Sequence, residues 1–276
     1  MRYRLLVTDV DGTLLPPDRR LLPSVREAVQ AAQERGARVC LATGRMWRSV
    51  QPYVEAVGAD SPVVLYNGAV VYDFREGRVL ERHTLDQEGL QCALEVLREF
   101  PEVRPHLFAD EQVYVDRQDE QSRAYLERDG ITAEEVGDLA VHLPSEAVKV
   151  LVVGPPDRLA VVDAELARRA PQVRRVFSER NFLELLPAGV SKGSALRTVC
   201  AAVGVRPEEA VAVGDNPNDL EMLEAAGVGV AVSGAHPALL TVADYVTRAG
   251  PGQAIVEVVE RFFLDGQAYV KLTDGR

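Results

Sequence analysis

Continuous apolar runs alternate with helix-length amphipathic segments along the first third of this chain. "YRLLVTD" (3–9), "ARVCLATG" (37–44) and "PVVLYNGAVVYD" (62–73) are apolar runs of strand length, the form of strands buried on both faces. The last is interrupted by Asn67-Gly68. Between them, "PSVREAVQAAQERG" (23–36) predicts a helix with a Ser24–Glu27 capping box at its start and a left-handed Gly36 at its end. "WRSVQPYVEAVG" (47–58) predicts a second, which Pro52 either kinks or begins. Strands separated by helices predict a parallel sheet covered on both faces.

The middle of the chain reads differently. "VRPHLFADEQVYVD" (103–116) and "VRRVFSERNFLELLP" (173–187) have the pattern of hairpins, and "AVKVLVVG" (147–154) that of a further strand. Two helical segments, 87–100 and 156–170, lie among them. After residue 187 the parallel pattern resumes: helix 191–204, strand 210–215, helix 217–227, strand 228–232, strand 243–247 and helix 252–263. The expected fold is α/β. A Rossmann-like parallel-sheet core with helices on both faces (1–82 and 187–276) is interrupted by a smaller α+β domain (83–186). "GQAYVKLTDGR" at the end reads as a short edge strand or a loose tail.

Polar groups gather where core strands stop. The first run ends at Asp9, followed by Asp11; the second ends at Thr43-Gly44-Arg45; another ends at Gly214-Asp215. In open parallel sheets, ligands bind beyond the carboxyl ends of the strands. Asp9 and Asp11 are two apart and, on extended backbone, would face the same way. A hard cation such as Mg²⁺ would hold Asp9 ionised and offset the repulsion between the two acids, with Asp215 a further ligand. One acid could then act as nucleophile and the other as general acid and base. Asn218 and Asp219 fall in the first turn of the next helix, where an acid suits the macrodipole. Lys192 begins a helix, where a cation is disfavoured unless an anion shares the spot. Thr43 could give such an anion a hydroxyl.

Each feature alone has a plainer explanation: a turn at Asp11-Gly12, a hairpin at Asn67-Gly68, a helix cap at 215–219, a solvated Lys192, Arg45 or Arg48, a packing Trp47. Their order along the chain favours the chemical reading. Composition narrows the partners. The 276 residues carry a formal charge of −11, which repels nucleic acid and anionic membranes. No apolar run approaches the ~20 residues of a membrane helix, and no signal-peptide pattern opens the chain. A cytoplasmic location is therefore expected. Cys40, Cys92 and Cys200, and His83, His106, His142 and His236, match no ligand spacing.

Together these stretches resemble the haloacid dehalogenase-like hydrolases, specifically the Cof-type phosphatases. "DVDGT" (9–13) resembles the first motif of that family, "ATGR" (42–45) the second, "SKGSAL" (191–196) the third and "GDNPNDLEML" (214–223) the fourth. "YNGA" (66–69) also matches, and the inserted domain corresponds to the family's α/β cap. "VAVSGAHP" departs from the pattern, with Ser233-Gly234 where an Asn-Ala step is frequent.

The resemblance implies a Mg²⁺-dependent phosphatase of small phosphorylated metabolites, sugar phosphates foremost, acting as monomer or homodimer. Asp9 would form an aspartyl-phosphate, and Asp11 would protonate the leaving group and then activate water. The metal would be held by Asp9, Asp11 through its carbonyl, Asp215 and, through water, Asp219. Thr43, Gly44, Arg45, Asn67, Gly68, Lys192 and Asn218 would surround phosphate or substrate. The cap would close over the substrate; the hairpin tips 108–112 and 178–182 are candidates for facing it. A phosphomutase, or a phosphoacceptor without turnover, would use the same core.

Overall fold

The computed structural model describes residues 2–109 and 111–265; the 266–276 tail lies outside them. The chain divides into two compact units. One comprises residues up to Glu81 and from Ser191 onward, the other Arg82–Val190.

In chain order the first segment runs β1 (Leu5–Thr8), α1 (Pro23–Glu34), β2 (Arg38–Leu41), α2 (Trp47–Val57), β3 (Val63–Leu65), β4 (Val70–Asp73) and β5 (Arg78–Arg82). The inserted unit contains α3 (Gln87–Arg98), β6 (Arg104–Ala109), β7 (Gln112–Val115), α4 (Glu120–Asp129), β8 (Glu134–Glu135), β9 (Ala147–Val153), α5 (Pro156–Arg169), β10 (Arg174–Glu179) and β11 (Phe182–Leu186). The return segment adds α6 (Lys192–Val203), β12 (Ala210–Gly214), α7 (Leu220–Ala225), β13 (Val228–Ala231), α8 (Pro237–Leu240), β14 (Tyr245–Val246) and α9 (Gln253–Val259).

The first unit is built on a parallel sheet in the order β14-β13-β12-β1-β2. Every residue of β1, β12 and β13 is buried, as continuous apolar runs require in a sheet covered on both faces. β1 lies between β2 and β12 in matched register, Thr8 opposite Leu41 on one side and Val213 on the other. The residues following these three strands therefore emerge side by side. A β3-β4-β5 sheet adjoins through a bridge between Ala42 and Val64. β3 and β4 pair antiparallel across a tight turn that contains Asn67-Gly68.

Two local expectations need correction or completion. The Ser24–Glu27 capping box does not form. Pro23 occupies the first helical position, where its missing N–H is no loss, so the cap falls on Leu22 and Ser24 lies inside the helix. Ser24 Oγ instead accepts from Gln253 Nε2 at 2.9 Å. Gly36 is left-handed, at φ 88°. Pro52 lies inside α2, which ends at a left-handed Gly58.

The inserted unit is a six-stranded sheet, β10-β11-β9-β6-β7-β8, antiparallel except for β7 with β8. Leu90, Leu94 and Leu97 of α3 and Leu159, Val162 and Leu166 of α5 share a core with Val150 and Val152 of β9 and Leu183 and Leu185 of β11. Strand alternation sends Glu184 to the other face, where its carboxylate lies 3.0 Å from the buried Lys149 ammonium. That ammonium stands 4.6 Å over the Phe108 ring. This ion pair had no mark in the sequence.

Candidate active site

The site begins where β1 stops. After Thr8 the chain leaves extended geometry and folds into a turn, with Leu14 N–H donating to Asp9 O at 3.2 Å and Leu15 N–H to Val10 O at 2.9 Å. Gly12 makes the turn at φ 81°, and a Cβ there would lie 2.5 Å from Asp215 Oδ2, so no other residue fits. The turn has a consequence for the acid pair. Asp9 and Asp11 do not sit on one extended strand, and their carboxylates take different partners.

Asp9 is buried and faces Lys192. The Lys192 ammonium, wholly buried at the first position of α6, lies 2.5 Å from Asp9 Oδ1 and 2.7 Å from Asp219 Oδ1. The helix start is secured independently: Ser191 accepts from Ser194 N–H at 3.0 Å, while Ser194 Oγ accepts from Ser191 N–H at 2.9 Å. The cation that sequence reasoning found misplaced at a helix N-terminus is thus offset by two carboxylates. Burial works against its charge, but Asp219 and Asp9 outweigh that and hold its pKa above the ordinary lysine range.

Asp215 follows β12. Its Oδ1 accepts from Thr13 Oγ1 at 2.8 Å and its Oδ2 from Asn216 Nδ2 at 2.7 Å. Asp219 is wholly buried; its Oδ2 accepts from the Asp215 and Asn216 N–H groups at 3.0 and 3.2 Å. Asp9, Asp215 and Asp219 each bring one oxygen within 4.8 Å of the others. One ammonium cannot neutralise three crowded carboxylates. Burial and then Asp219 push the Asp215 pKa up to about 7, against the pull of the Thr13 hydrogen bond. Burial also raises Asp9, with Lys192 opposing and Asp219, Asp215 and Asp11 reinforcing. An all-oxygen set with excess negative charge fits a hard divalent cation such as Mg²⁺.

Asp11 is held from the other side. Arg45, nearly buried, donates Nε to Asp11 Oδ2 at 2.7 Å and Nη2 to Oδ1 at 2.6 Å, a bidentate fork. Arg45 also donates Nη1 to Ser49 Oγ at 3.2 Å, and its guanidinium stands 5.0 Å over the Tyr53 ring. Arg19 adds a contact of 3.1 Å to Asp11 Oδ1. Thr43 is buried, and its Oγ1 accepts the Arg45 N–H at 3.1 Å. Gly44 lies between them, half-buried. Trp47 and Arg48 stack on each other at 5.2 Å.

Asn67 is buried in a left-handed conformation, φ 54°, with its N–H bonded to Thr43 O at 2.9 Å. Gly68 next to it has φ 107°, and a Cβ there would lie 2.2 Å from Ser191 O. Asn218 Nδ2 donates to Asn67 Oδ1 at 3.0 Å. The turn between β3 and β4 is thereby stitched to the loops carrying Thr43, Lys192 and Asp219.

Sequence reasoning passed over several participants. Thr13 lay inside the "DVDGT" stretch without a role, and Asn216 inside "GDNPND". Arg19, in the polar "PPDRR" run, carried no signal at all; only the loop after β1 brings it to Asp11.

A parallel sheet whose strand ends carry a buried Asp–Lys pair within an acidic cluster defines the class, and the chain belongs to the haloacid dehalogenase-like hydrolases, whose family model matches residues 6–259. It is 35% identical over 243 residues to an HMP-PP phosphatase of Serratia proteamaculans, which covers 86% of each chain. It is 31% identical to a phosphoglycolate phosphatase of Methanothermobacter thermautotrophicus, across 94% of this chain and 98% of that one. A haloacid dehalogenase-like hydrolase from Bacteroides thetaiotaomicron has a crystal structure that superposes with a TM-score of 0.82 at 27% identity, across 95% of this chain and all of the other. Within the family, this enzyme is a phosphatase of the Cof type.

Proposed function

We propose that the enzyme hydrolyses small phosphorylated metabolites, sugar phosphates foremost, in a Mg²⁺-dependent reaction through an aspartyl-phosphate on Asp9. The observation that carries this reading is the buried Asp9 carboxylate, 2.5 Å from the Lys192 ammonium in one cluster with Asp215 and Asp219. Relatives named as phosphatases of phosphoglycolate and of HMP-PP agree with a small phosphoester as substrate.

Asp9, the carbonyl of Asp11 and Asp215 are the groups we assign to the metal, with Asp219 acting through water. When bound, Mg²⁺ supplies charge neutralisation for the phosphoryl oxygens. An Asp9 oxygen attacks phosphorus in line, the P–O ester bond breaks, and the leaving alkoxide takes a proton from Asp11. Asp11 then removes a proton from water, whose oxygen attacks phosphorus; the Asp9–phosphorus bond breaks and inorganic phosphate leaves. Both Asp11 oxygens accept from Arg45 in the present arrangement, so proton delivery requires one of those bonds to open. Lys192 neutralises Asp9 on approach of the anion, and we assign Thr43 a hydrogen bond from its hydroxyl to a phosphoryl oxygen. We assign the Arg82–Val190 unit the part of a cap that selects the leaving group.

Among the described residues no helix is long and apolar enough to cross a membrane. The cysteines are free, in keeping with the reducing cytoplasm we propose as the setting. The test is release of phosphate from phenyl phosphate with Mg²⁺ present, lost with EDTA and in Asp9→Asn. Full activity in Asp9→Asn overturns the nucleophile assignment, and isomerisation without phosphate release identifies a mutase.

A further inference from the structure

Arg19 is a second cation on the acid assigned to the leaving group, and it lies outside the four motif stretches. Its Nη2 is 3.1 Å from Asp11 Oδ1, the oxygen that Arg45 Nη2 also reaches at 2.6 Å. The two arginines differ in access. The Arg45 side chain is 5% exposed and is bound to Ser49 and Tyr53 as well as to Asp11; that of Arg19 is 22% exposed. The loop after β1 presents Arg19 in a defined way. Its N–H donates to Pro16 O at 2.8 Å, the Arg20 N–H donates to Asp18 Oδ1 at 3.2 Å, and Arg19 itself has a left-handed φ of 59°. Left-handed backbone is strained for a long side chain, and such strain clusters at ligand-binding sites.

Asp11 fixes where the leaving group stands. An ester oxygen that takes its proton from Asp11 sits one hydrogen bond from a carboxyl oxygen, and so within roughly 6–8 Å of Arg19 Nη2. A carboxylate one or two carbons beyond that oxygen spans the gap. The rest of the rim is hostile to a second negative charge. Asp9, Asp215 and Asp219 crowd together there, and the Lys192 ammonium is buried between Asp9 and Asp219. Those acids repel an anionic leaving group unless a cation meets it. A guanidinium has five N–H donors in one plane, enough to bridge two carboxylates.

From this we infer that Arg19 selects phosphate monoesters whose leaving group carries a carboxylate one or two carbons from the ester oxygen, by donating to that carboxylate while it holds Asp11. The inference rests on the phosphatase reading, with Asp11 as the acid, and adds the class of leaving group to it.

The test compares 2-carboxyethyl phosphate with its amide, 2-carbamoylethyl phosphate, at neutral pH with Mg²⁺, alongside phenyl phosphate. The two ethyl esters have nearly the same shape and differ by one charge. The wild-type enzyme is expected to favour the carboxylate in kcat/KM by about tenfold or more, the scale of one hydrogen bond between charged groups. Arg19→Gln should bring the ratio to within about twofold, and Arg19→Lys, which restores the charge, should recover about threefold or more. The ratio is the decisive quantity, because a residue that only steadied Asp11 would lower kcat/KM for both esters alike and leave it unchanged. Hydrolysis of phenyl phosphate without the wild-type preference overturns the inference alone. A full preference in Arg19→Gln overturns it too, as does an Arg19→Lys ratio no higher than that of Arg19→Gln. Failure to hydrolyse any of the three esters overturns the phosphatase reading and the inference with it.

Discussion

Replacing Lys192 by Met keeps the unbranched apolar stem and removes the charge that Asp9 and Asp219 share. Lys192 is wholly buried, with its ammonium 2.5 and 2.7 Å from the two carboxylates. Asp219 retains the Asp215 and Asn216 N–H groups as donors; Asp9 loses its counter-ion in a site where burial already raises its pKa. Its escape is to take up a proton. From an ordinary aspartate pKa near 3.9 that costs about 4 kcal/mol at pH 7 and about 1.5 kcal/mol at pH 5, at 1.36 kcal/mol per unit. Breaking a buried ion pair from one side costs about 3–5 kcal/mol, a range that agrees with the pH 7 figure. Urea unfolding of wild type and Lys192→Met in EDTA, at pH 7 and pH 5, measures both. The expected destabilisation is about 4 kcal/mol at pH 7, shrinking by more than half at pH 5. A loss below about 1 kcal/mol at pH 7, or one independent of pH, would refute the claim that this ammonium is held by ionised acids.

Three further outcomes follow from the same geometry. Gly68→Ala forces a Cβ to 2.2 Å from Ser191 O at φ 107°; a destabilisation of about 2–5 kcal/mol is expected in denaturant titration, and a change below 0.5 kcal/mol contradicts the packing. Arg45→Lys turns a two-point hold on Asp11 into a single contact, so kcat on phenyl phosphate should fall on the order of 10–100-fold; an unchanged kcat means Asp11 needs no such positioning. His106 is wholly buried, its Nδ1–H donating to Arg104 O at 3.1 Å and its Nε2 accepting from Ser122 Oγ at 2.9 Å, and burial lowers its pKa to about 4. The unfolded chain protonates first, so stability present above pH 6.5 should be lost as pH falls from 6.5 to 4, by up to about 3 kcal/mol. His106→Gln should flatten that dependence in urea titrations; an equally steep loss assigns it to other groups.

The sequence by itself determined the parallel core and the rim where chemistry collects. Runs such as "LLVT" and "AVAVG", alternating with helix-length amphipathic segments, read as strands buried on both faces, and the residue after each falls at the sheet's carboxyl edge. Asp9, Thr43 and Asp215 were therefore legible as a set, and Lys192 was legible beside them as a cation at a helix start. Their partners were not, because a partner is a distance across space and periodicity reports only direction along one element. The turn at Gly12 parts Asp11 from Asp9, which no alternation rule foresees. The fork from Arg45, the reach of Arg19 and the burial of Lys192 between two acids come from loops meeting across 8 to 183 positions of sequence. The capping box at Ser24 failed for the same reason on a smaller scale: one Pro at the first helical position moved the cap back two residues to Leu22, and the hydroxyl found Gln253 instead. Local chemistry chose which elements form; only the tertiary structure, by bringing charges and amides to within a hydrogen bond of one another, decided which side chains answer each other.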